Sequence, residues 1–357
     1  MKHILILASG TGGHIFPGLV IAENMASKGW LVSWLGTRHG MESEIISHKN
    51  IIFNSINFSG IRGKGLYHGL IGLYKFLRSI IYSFFLLNRL KPNIIFGMGG
   101  YATVPPGIVS VFFKAPLVLL NSDKKLILSN KILYPFAKKI FFGFELNKIS
   151  KNKKEILTGN PVRKEMKCEI GPKFRYENRS GKLNILVLGG SLGAKILNEN
   201  IPKALSLISV SIRPNVIHQS GKKNILYLSK IYKDLKVKAE VIDFIIDIDK
   251  KYLNTDLIIC RAGAITISEI CSIGIASLLV PLQISSTTHQ IDNAVWMYKN
   301  KAALHLPQNE LNPVKIASII KNLSREKCKR IASKAFEIGF KNSNEKIISI
   351  LESLLEK

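Results

Sequence analysis

The feature that most constrains this chain is one local pattern met twice: an apolar run that ends in a glycine-rich loop and continues as a helix. Ile4 to Ala8 is followed by Ser9-Gly10-Thr11-Gly12-Gly13-His14 and a helical pattern from Phe16 to Lys28, closed by Gly29. Leu183 to Leu188 repeats the theme and ends in Gly189-Gly190-Ser191-Leu192-Gly193-Ala194. A run that is apolar at every position suits a strand covered on both faces, as in a parallel sheet. Glycines after such a strand let the backbone turn tightly, and the N–H groups that open the next helix attract an anion. A third loop, Gly97-Met98-Gly99-Gly100, follows the run Asn93 to Phe96. One loop of this kind reports only tight packing. Three of them, spread over two halves, predict phosphate groups on more than one ligand.

Further apolar runs complete the pattern. Trp30 to Leu35, Pro116 to Leu120, Lys139 to Phe142 and Glu155 to Leu157 read as strands of the first half. Val216 to His218, Ala239 to Ile242, Leu257 to Cys260 and Ser277 to Val280 read as strands of the second. Strands alternating with helices predict an α/β protein of two Rossmann-like, doubly wound parallel sheets. The junction falls near Gly159-Asn160-Pro161-Val162-Arg163, which divides the chain at 1–161 and 162–339. The last helix, about Asn344 to Lys357, fits either half on sequence alone.

The charge balance, 51 basic against 24 acidic residues for +27, narrows the partners. The basic residues are spread over the whole chain without zinc-finger, RNP or helix-turn-helix patterns, which argues against nucleic acid. An anionic membrane surface, a polyanionic substrate and a plain compositional bias toward Lys, Ile and Asn all remain open. Gly69 to Leu90 is dense in Leu, Ile, Phe and Tyr, yet Lys75 and Arg78 lie inside it. A charge at the centre of a membrane span costs roughly 2.5–3.5 kcal/mol, so a buried core helix and an interfacial helix are the two readings. Cys168, Cys260, Cys271 and Cys328 have neither metal-ligand nor redox spacing, and the N-terminal run is too short for a secretory signal. Together these features predict reduced cytosolic thiols.

Competing phosphate readers are testable on the sequence. The P-loop pattern is absent. A dinucleotide site expects an acid at the end of its second strand, and Trp34-Leu35-Gly36-Thr37-Arg38 has none. In the second half, Arg261-Ala262-Gly263-Ala264-Ile265-Thr266-Ile267-Ser268-Glu269 leads from a strand into a helix. Glu269 is placed either to accept from both ribose hydroxyls or to lie on a solvated helix face. Arg261 reads as a phosphate clamp or a structural partner. Asp247-Ile248-Asp249 is too short a pattern in a charged stretch to assign a metal. His14, at the mouth of the first loop, is a candidate general base or a histidine bonded within its own loop.

The full set of motifs resembles the MurG family, within glycosyltransferase family 28. The resemblance is carried by Gly10-Thr11-Gly12-Gly13-His14-Ile15-Phe16-Pro17-Gly18, Trp34-Leu35-Gly36-Thr37, Ser59-Gly60-Ile61-Arg62-Gly63-Lys64, Gly97-Met98-Gly99-Gly100-Tyr101 and Gly159-Asn160-Pro161-Val162-Arg163. It continues through Gly189-Gly190-Ser191-Leu192-Gly193-Ala194, His218-Gln219-Ser220-Gly221-Lys222, Cys260-Arg261-Ala262-Gly263-Ala264 and His289-Gln290 with Asn293-Ala294, in the family's order. It implies a GT-B fold, two Rossmann-like domains facing a cleft, with the C-terminal helix (about 340–357) returning to the first domain. It also implies inverting transfer of GlcNAc from UDP-GlcNAc to the C4 hydroxyl of MurNAc in lipid I, on the cytoplasmic face of the cell membrane, with no cofactor and no metal. Carried over by position, Arg163 and Ser191 would meet the donor nucleotide and the Ile245 backbone the uracil. Ala264, Ile265, Thr266, Ile267, Ser268 and Glu269 would meet the sugar nucleotide, with Glu269 on ribose, and Gln290 the GlcNAc. Thr11, Gly12, Gly13 and Asp123 would line the substrate site, with the first-domain loops on the lipid diphosphate and His14 as base.

The chain departs from the family at one segment. Where relatives usually read His-Glu-Gln-Asn-x-x-x-Gly, this chain reads Leu120-Asn121-Ser122-Asp123-Lys124-Lys125-Leu126-Ile127. Leu192 also stands where Gln is usual. The departure keeps two alternatives in view, a UDP-GlcNAc-binding homologue with reduced or lost turnover and another GT-B enzyme of sugar nucleotides.

Overall fold

A computed structural model of the chain describes residues 1–47, 49–58, 66–145, 152–167, 170–177, 179–190, 193–245, 247–283 and 288–355. Two compact units emerge: unit 1 is Met1–Arg163 with Asn342–Lys357, and unit 2 is Lys164–Lys341.

The strands of unit 1 are β1 (His3–Ala8), β2 (Leu31–Thr37), β3 (Ile52–Ile56), β4 (Ile94–Gly99), β5 (Leu117–Asn121), β6 (Lys139–Phe142) and β7 (Glu155–Leu157). They form one parallel sheet in the order β3-β2-β1-β4-β5-β6-β7. Its helices are α1 (Gly12–Ser27), α2 (Met41–Ser47), α3 (Leu66–Leu90), α4 (Val104–Val109) and α5 (Leu128–Leu133). Successive strand residues point to opposite faces, and β1 follows that rule. Ile4, Ile6 and Ala8 join a core with Ile15, Ile21 and Met25 of α1, while Leu5 and Leu7 join another with Leu86 and Leu87 of α3.

Unit 2 contains β8 (Asn184–Leu188), β9 (Asn215–Gln219), β10 (Glu240–Ile242), β11 (Leu257–Cys260), β12 (Ala276–Leu279) and β13 (Leu304–His305). The sheet is again parallel, in the order β10-β9-β8-β11-β12-β13. Around it pack α6 (Pro172–Glu177), α7 (Lys195–Ser206), α8 (Ile225–Asp234), α9 (Ile248–Leu253), α10 (Ala264–Ile273), α11 (His289–Lys299), α12 (Pro313–Lys321) and α13 (Arg325–Ile338). The start of β8 is pinned by Asp256, a fully buried carboxylate. It accepts from Arg179 at 2.7 Å, Arg325 at 3.2 Å and the Asn184 N–H at 2.9 Å.

The last helix, α14 (Ser343–Ser353), belongs to unit 1. Ile347, Ile348 and Leu351 enter the core beside α1, and Asn344 exchanges two hydrogen bonds with the Val162 backbone, at 3.1 and 2.8 Å. Unit 1 therefore closes over its own sheet with a segment that follows all of unit 2 in the chain.

Three details differ from the sequence reading. The edge strands β3 and β13 were not expected, the first because its run includes Asn54 and Ser55, the second because it is only Leu304–His305. The strand expected at Trp30 to Leu35 begins at Leu31 and continues to Thr37. Helix α3 is neither fully buried nor free: Ser79, Ser83, Leu86 and Leu87 are covered, whereas Tyr74, Leu77, Ile81 and Phe85 are each more than half exposed. Among the described residues, no helix is long and apolar enough to cross a membrane.

Candidate functional site

In an open α/β sheet, ligands gather at the carboxyl ends of the strands where the strand order reverses. In unit 1 that point lies between β1 and β4, in unit 2 between β8 and β11. Each glycine loop singled out in the sequence opens there.

In unit 1, α1 starts directly after Thr11, whose carbonyl accepts the His14 N–H at 3.0 Å. Gly12 and Gly13, in the first turn, have N–H groups without an intrahelical acceptor, which is the ordinary condition of a helix start. The Gly10 N–H is turned inward onto the carboxylate of Glu42 at 3.4 Å. Glu42 is fully buried and also accepts from the Thr37 N–H and hydroxyl, both at 2.7 Å. The acid missing from the end of β2 is thus supplied by α2, as an internal brace of the loop.

His14 is half-buried, with Nδ1 3.3 Å from the Ser9 carbonyl. A carbonyl only accepts, so the neutral ring carries its proton on Nδ1 and keeps a lone pair on Nε2. Burial lowers the pKa of the ring, while the Asp123 carboxylate and the Ser9 carbonyl act in the opposite direction. Beside the ring runs Gly99, at φ +106°, where a β-carbon would lie 3.1 Å from His14 Nε2 and 2.6 Å from Ile127 Cδ1. Only glycine combines that backbone angle with that closeness. The β1–β4 register slips by one residue at this point, which sets Gly99 against Ala8.

Ile127 ends the segment that departs from the family, and Asn121 organises it. The fully buried Asn121 amide donates to the carbonyls of Asp123 at 2.6 Å and Lys125 at 3.1 Å. Its carbonyl accepts from Ile127 N–H at 3.0 Å and Asn130 Nδ2 at 3.3 Å. Asn160 donates to the Ser122 carbonyl at 3.0 Å. The loop that carries Asp123 is therefore braced by Asn121 and Asn160 despite the missing glutamate. Arg163, at the end of unit 1, stacks over the Phe16 ring at 5.5 Å, next to the first loop.

In unit 2, Gly190 and Gly193 both take positive φ, 78° and 77°, and Gly193 presses on the Ser220 carbonyl where no β-carbon fits. Ser191 and Leu192 lie outside the described residues. Gln219 ties this loop to the next: it donates to the Gly190 carbonyl at 3.0 Å and accepts the Ile245 N–H at 3.1 Å. The backbone N–H of Ile245 is thus engaged within the protein.

Helix α10 opens at Gly263, so the first N–H groups after it point out of the strand end. Ala264 and Ile265 are buried, Thr266 and Ser268 half-buried. Ile267 is fully buried and its N–H donates to Gly263, so it supports the turn. Glu269 is only 6% exposed and accepts from Tyr252 Oη at 3.4 Å, which removes the reading of a solvated helix acid. Arg261 holds the Val280 carbonyl at 3.1 Å and Gln308 Oε1 at 2.7 Å, a structural role. Gln290 accepts the Leu282 N–H at 2.9 Å through Oε1, which fixes the orientation of its amide. Asp247 is exposed and pairs with Lys250 at 3.5 Å.

Glu42 and Gln219 are the two site residues that the sequence reading did not assign. Gln219 stood inside a quoted motif but carried no role, since its two bonds reach loops 29 and 26 residues away. Burial pushes the thiols of Cys260, Cys271 and Cys328 up to about 12, so none is a nucleophile at neutral pH. Cys168 lies outside the described residues.

Two parallel-sheet units of this topology, each with a glycine loop at its switch point, make the architecture of a GT-B glycosyltransferase. The chain belongs to glycosyltransferase family 28, its residues 4–142 matching the family's N-terminal domain and residues 184–349 its C-terminal domain. It is 50% identical to a protein of Herminiimonas arsenicoxydans over 356 residues, covering 100% of this chain and 99% of that one. It is 49% identical, with the same coverage, to one of Janthinobacterium sp. (strain Marseille). Both relatives are named UDP-N-acetylglucosamine--N-acetylmuramyl-(pentapeptide) pyrophosphoryl-undecaprenol N-acetylglucosamine transferase. The crystal structure of Acinetobacter baumannii MurG superposes with a TM-score of 0.82 at 30% identity, covering 99% of this chain and 100% of that one.

Proposed function

We propose that the protein transfers GlcNAc from UDP-GlcNAc to the C4 hydroxyl of MurNAc in lipid I, undecaprenyl-pyrophosphoryl-MurNAc-pentapeptide, with inversion, to give lipid II. The observation that carries this reading is the 50% identity over the whole chain to a relative named for that transfer. The loops of unit 2 hold the donor. Uracil meets the Ile245 carbonyl, ribose meets Glu269, and the diphosphate meets the N–H groups at the start of α10, beside the glycine loop that follows β8. Gln290 takes the GlcNAc. Unit 1 takes the acceptor, with Thr11, Gly12 and Gly13 toward its diphosphate.

In the chemical step, His14 Nε2 removes the proton of the acceptor hydroxyl as that oxygen bonds to the anomeric carbon. The bond from that carbon to the β-phosphate oxygen breaks, and UDP departs with the electron pair. Attack opposite the leaving group inverts the centre. Oriented N–H groups and Arg163 stabilise the charge that develops on UDP. A neutral, desolvated His14 is the protonation state a base needs, and the Asp123 carboxylate opposes the lowering of its pKa by burial.

The exposed face of α3 supports peripheral docking on an anionic membrane surface at its cytoplasmic side. Tyr74, Leu77, Ile81 and Phe85 project from it, with Lys75 and Arg78 exposed on the same helix. Apolar side chains bed into the headgroup boundary while the cations meet anionic lipid.

Purified protein, UDP-GlcNAc and a lipid I analogue test the reading through formation of the disaccharide. Repeated absence of product beside an active control enzyme would overturn it. A second reading, a donor-binding homologue without turnover, is favoured by Asn121 at the position of the family's carboxylate. Calorimetric donor binding with no product over long incubation selects it.

A further inference from the structure

We propose that unit 2 carries a second anion site, for a polyphosphorylated group, in the cavity bounded by the end of α11, β13 and α13. The cavity has a volume of about 870 Å³, and seven of its lining residues are cationic while none is acidic. It shares no residue with the loops at the strand ends, so the inference rests on no part of the transferase reading.

The overall lysine content of the chain does not explain this cluster. With 24 acidic to 51 basic residues in the chain, a surface holding seven cations would carry about three acids. The acids that pair with its lining, Glu177, Glu326 and Glu337, stand outside it and engage only Lys329 and Lys334. Among the described residues, Lys173, Lys299, Lys301, Lys327 and Arg330 have no ion pair and no side-chain hydrogen bond. Like charges gathered around one concave space repel, and a multiply charged anion relieves that repulsion. The volume exceeds what one phosphate fills and falls in the range of small-molecule sites, roughly 300–1,000 Å³. Leu304, Ile331 and the Tyr298 ring, more than half exposed, add an apolar wall for whatever carries the phosphates. A phosphate cluster is the chemistry this lining recognises. A soluble polyphosphate and a phospholipid headgroup are its two sources.

The test uses the full chain with UDP-GlcNAc in excess, so that the strand-end loops are occupied. Sodium tripolyphosphate is titrated by calorimetry, and cosedimentation with vesicles of an anionic phospholipid is measured in parallel. One double variant, Lys301→Glu with Arg330→Glu, reverses charge in the cavity. A control, Lys203→Glu with Lys230→Glu, makes the same net change on α7 and α8. The cavity variant should weaken phosphate binding by about tenfold or more, as expected for losing charge-assisted contacts, and the control by less than twofold. Selective loss of tripolyphosphate binding assigns a soluble ligand, and selective loss of vesicle binding assigns a headgroup. Equal weakening in both variants, or none in either, overturns the site. Should the cavity variant unfold, Lys299→Gln with Lys327→Gln replaces it, with a thermal midpoint matched to the parent.

Discussion

The side-chain carbonyl of Asn121 accepts the N–H of Ile127 at 3.0 Å and so closes the segment that follows β5 onto its own first residue. Because the Asn121 amide also donates to the carbonyls of Asp123 and Lys125, a glutamate in its place has no proton to offer either of them. Each of these part-buried bonds lost costs about 0.5–1.5 kcal/mol. Asn121→Glu should therefore lower turnover and thermal midpoint in this chain, even though it restores the residue usual in relatives. A variant more active than the parent in the disaccharide assay would show that the loop prefers the carboxylate.

His14→Ala should reduce kcat by roughly 10²–10⁴-fold, the usual contribution of a general base, while the KM for UDP-GlcNAc stays within about twofold. Steady-state kinetics with a soluble acceptor separates the two. A parallel loss of donor affinity would assign His14 to binding instead.

The pH dependence follows from the surroundings of the same ring. A protonated imidazole cannot accept, so kcat/KM falls as pH drops through the pKa of His14. Burial sets that pKa below 6.5, so the acid limb should lie below the ordinary imidazole range. Asp123 opposes the depression, and Asp123→Asn should move the limb to still lower pH. A limb that moves upward, or not at all, would remove Asp123 from the environment of the base.

Gln219 joins two loops of the donor site through a single amide. Gln219→Ala frees both, and the loss of two bonds, about 1 kcal/mol each, should raise the KM for UDP-GlcNAc by up to about 30-fold. Calorimetry with UDP alone should show the same ratio.

Phe85→Glu together with Leu77→Glu should abolish binding to anionic vesicles, since both residues are exposed on α3 and support no core contact. Turnover on a short-chain soluble acceptor should be unchanged. Vesicle binding that survives these changes would place the membrane face elsewhere.

How much of this was legible in the sequence depended on how local each cause is. Strands β1 and β8 were readable because Ile4 to Ala8 and Ile185 to Leu188 are apolar throughout, as a doubly covered strand requires. Gly99 and Gly193 were readable because few other residues tolerate positive φ. Edge strand β3 was not, since one open side admits Asn54 and Ser55 and erases the pattern. Glu42 escaped because the chain reverses through Thr37 to Gly40 before α2 returns its carboxylate to a loop 32 residues earlier. Glu269 was placed between two roles by its helix position, and burial, a tertiary quantity, decided against one of them. Asn121 looked like a loss when compared with relatives. Its value lies in two donated and two accepted bonds, which no spacing of letters encodes.

The placement of Ile347, Ile348 and Leu351 in the core of unit 1 has a consequence for synthesis. A chain emerging from the ribosome exposes residues 1–163 first, yet the apolar surface that α14 covers stays open until 164–341 has also emerged. Unit 2 is continuous and can close on its own as it appears. The unit begun first is thus completed last, and during that interval its α1 face stays uncovered.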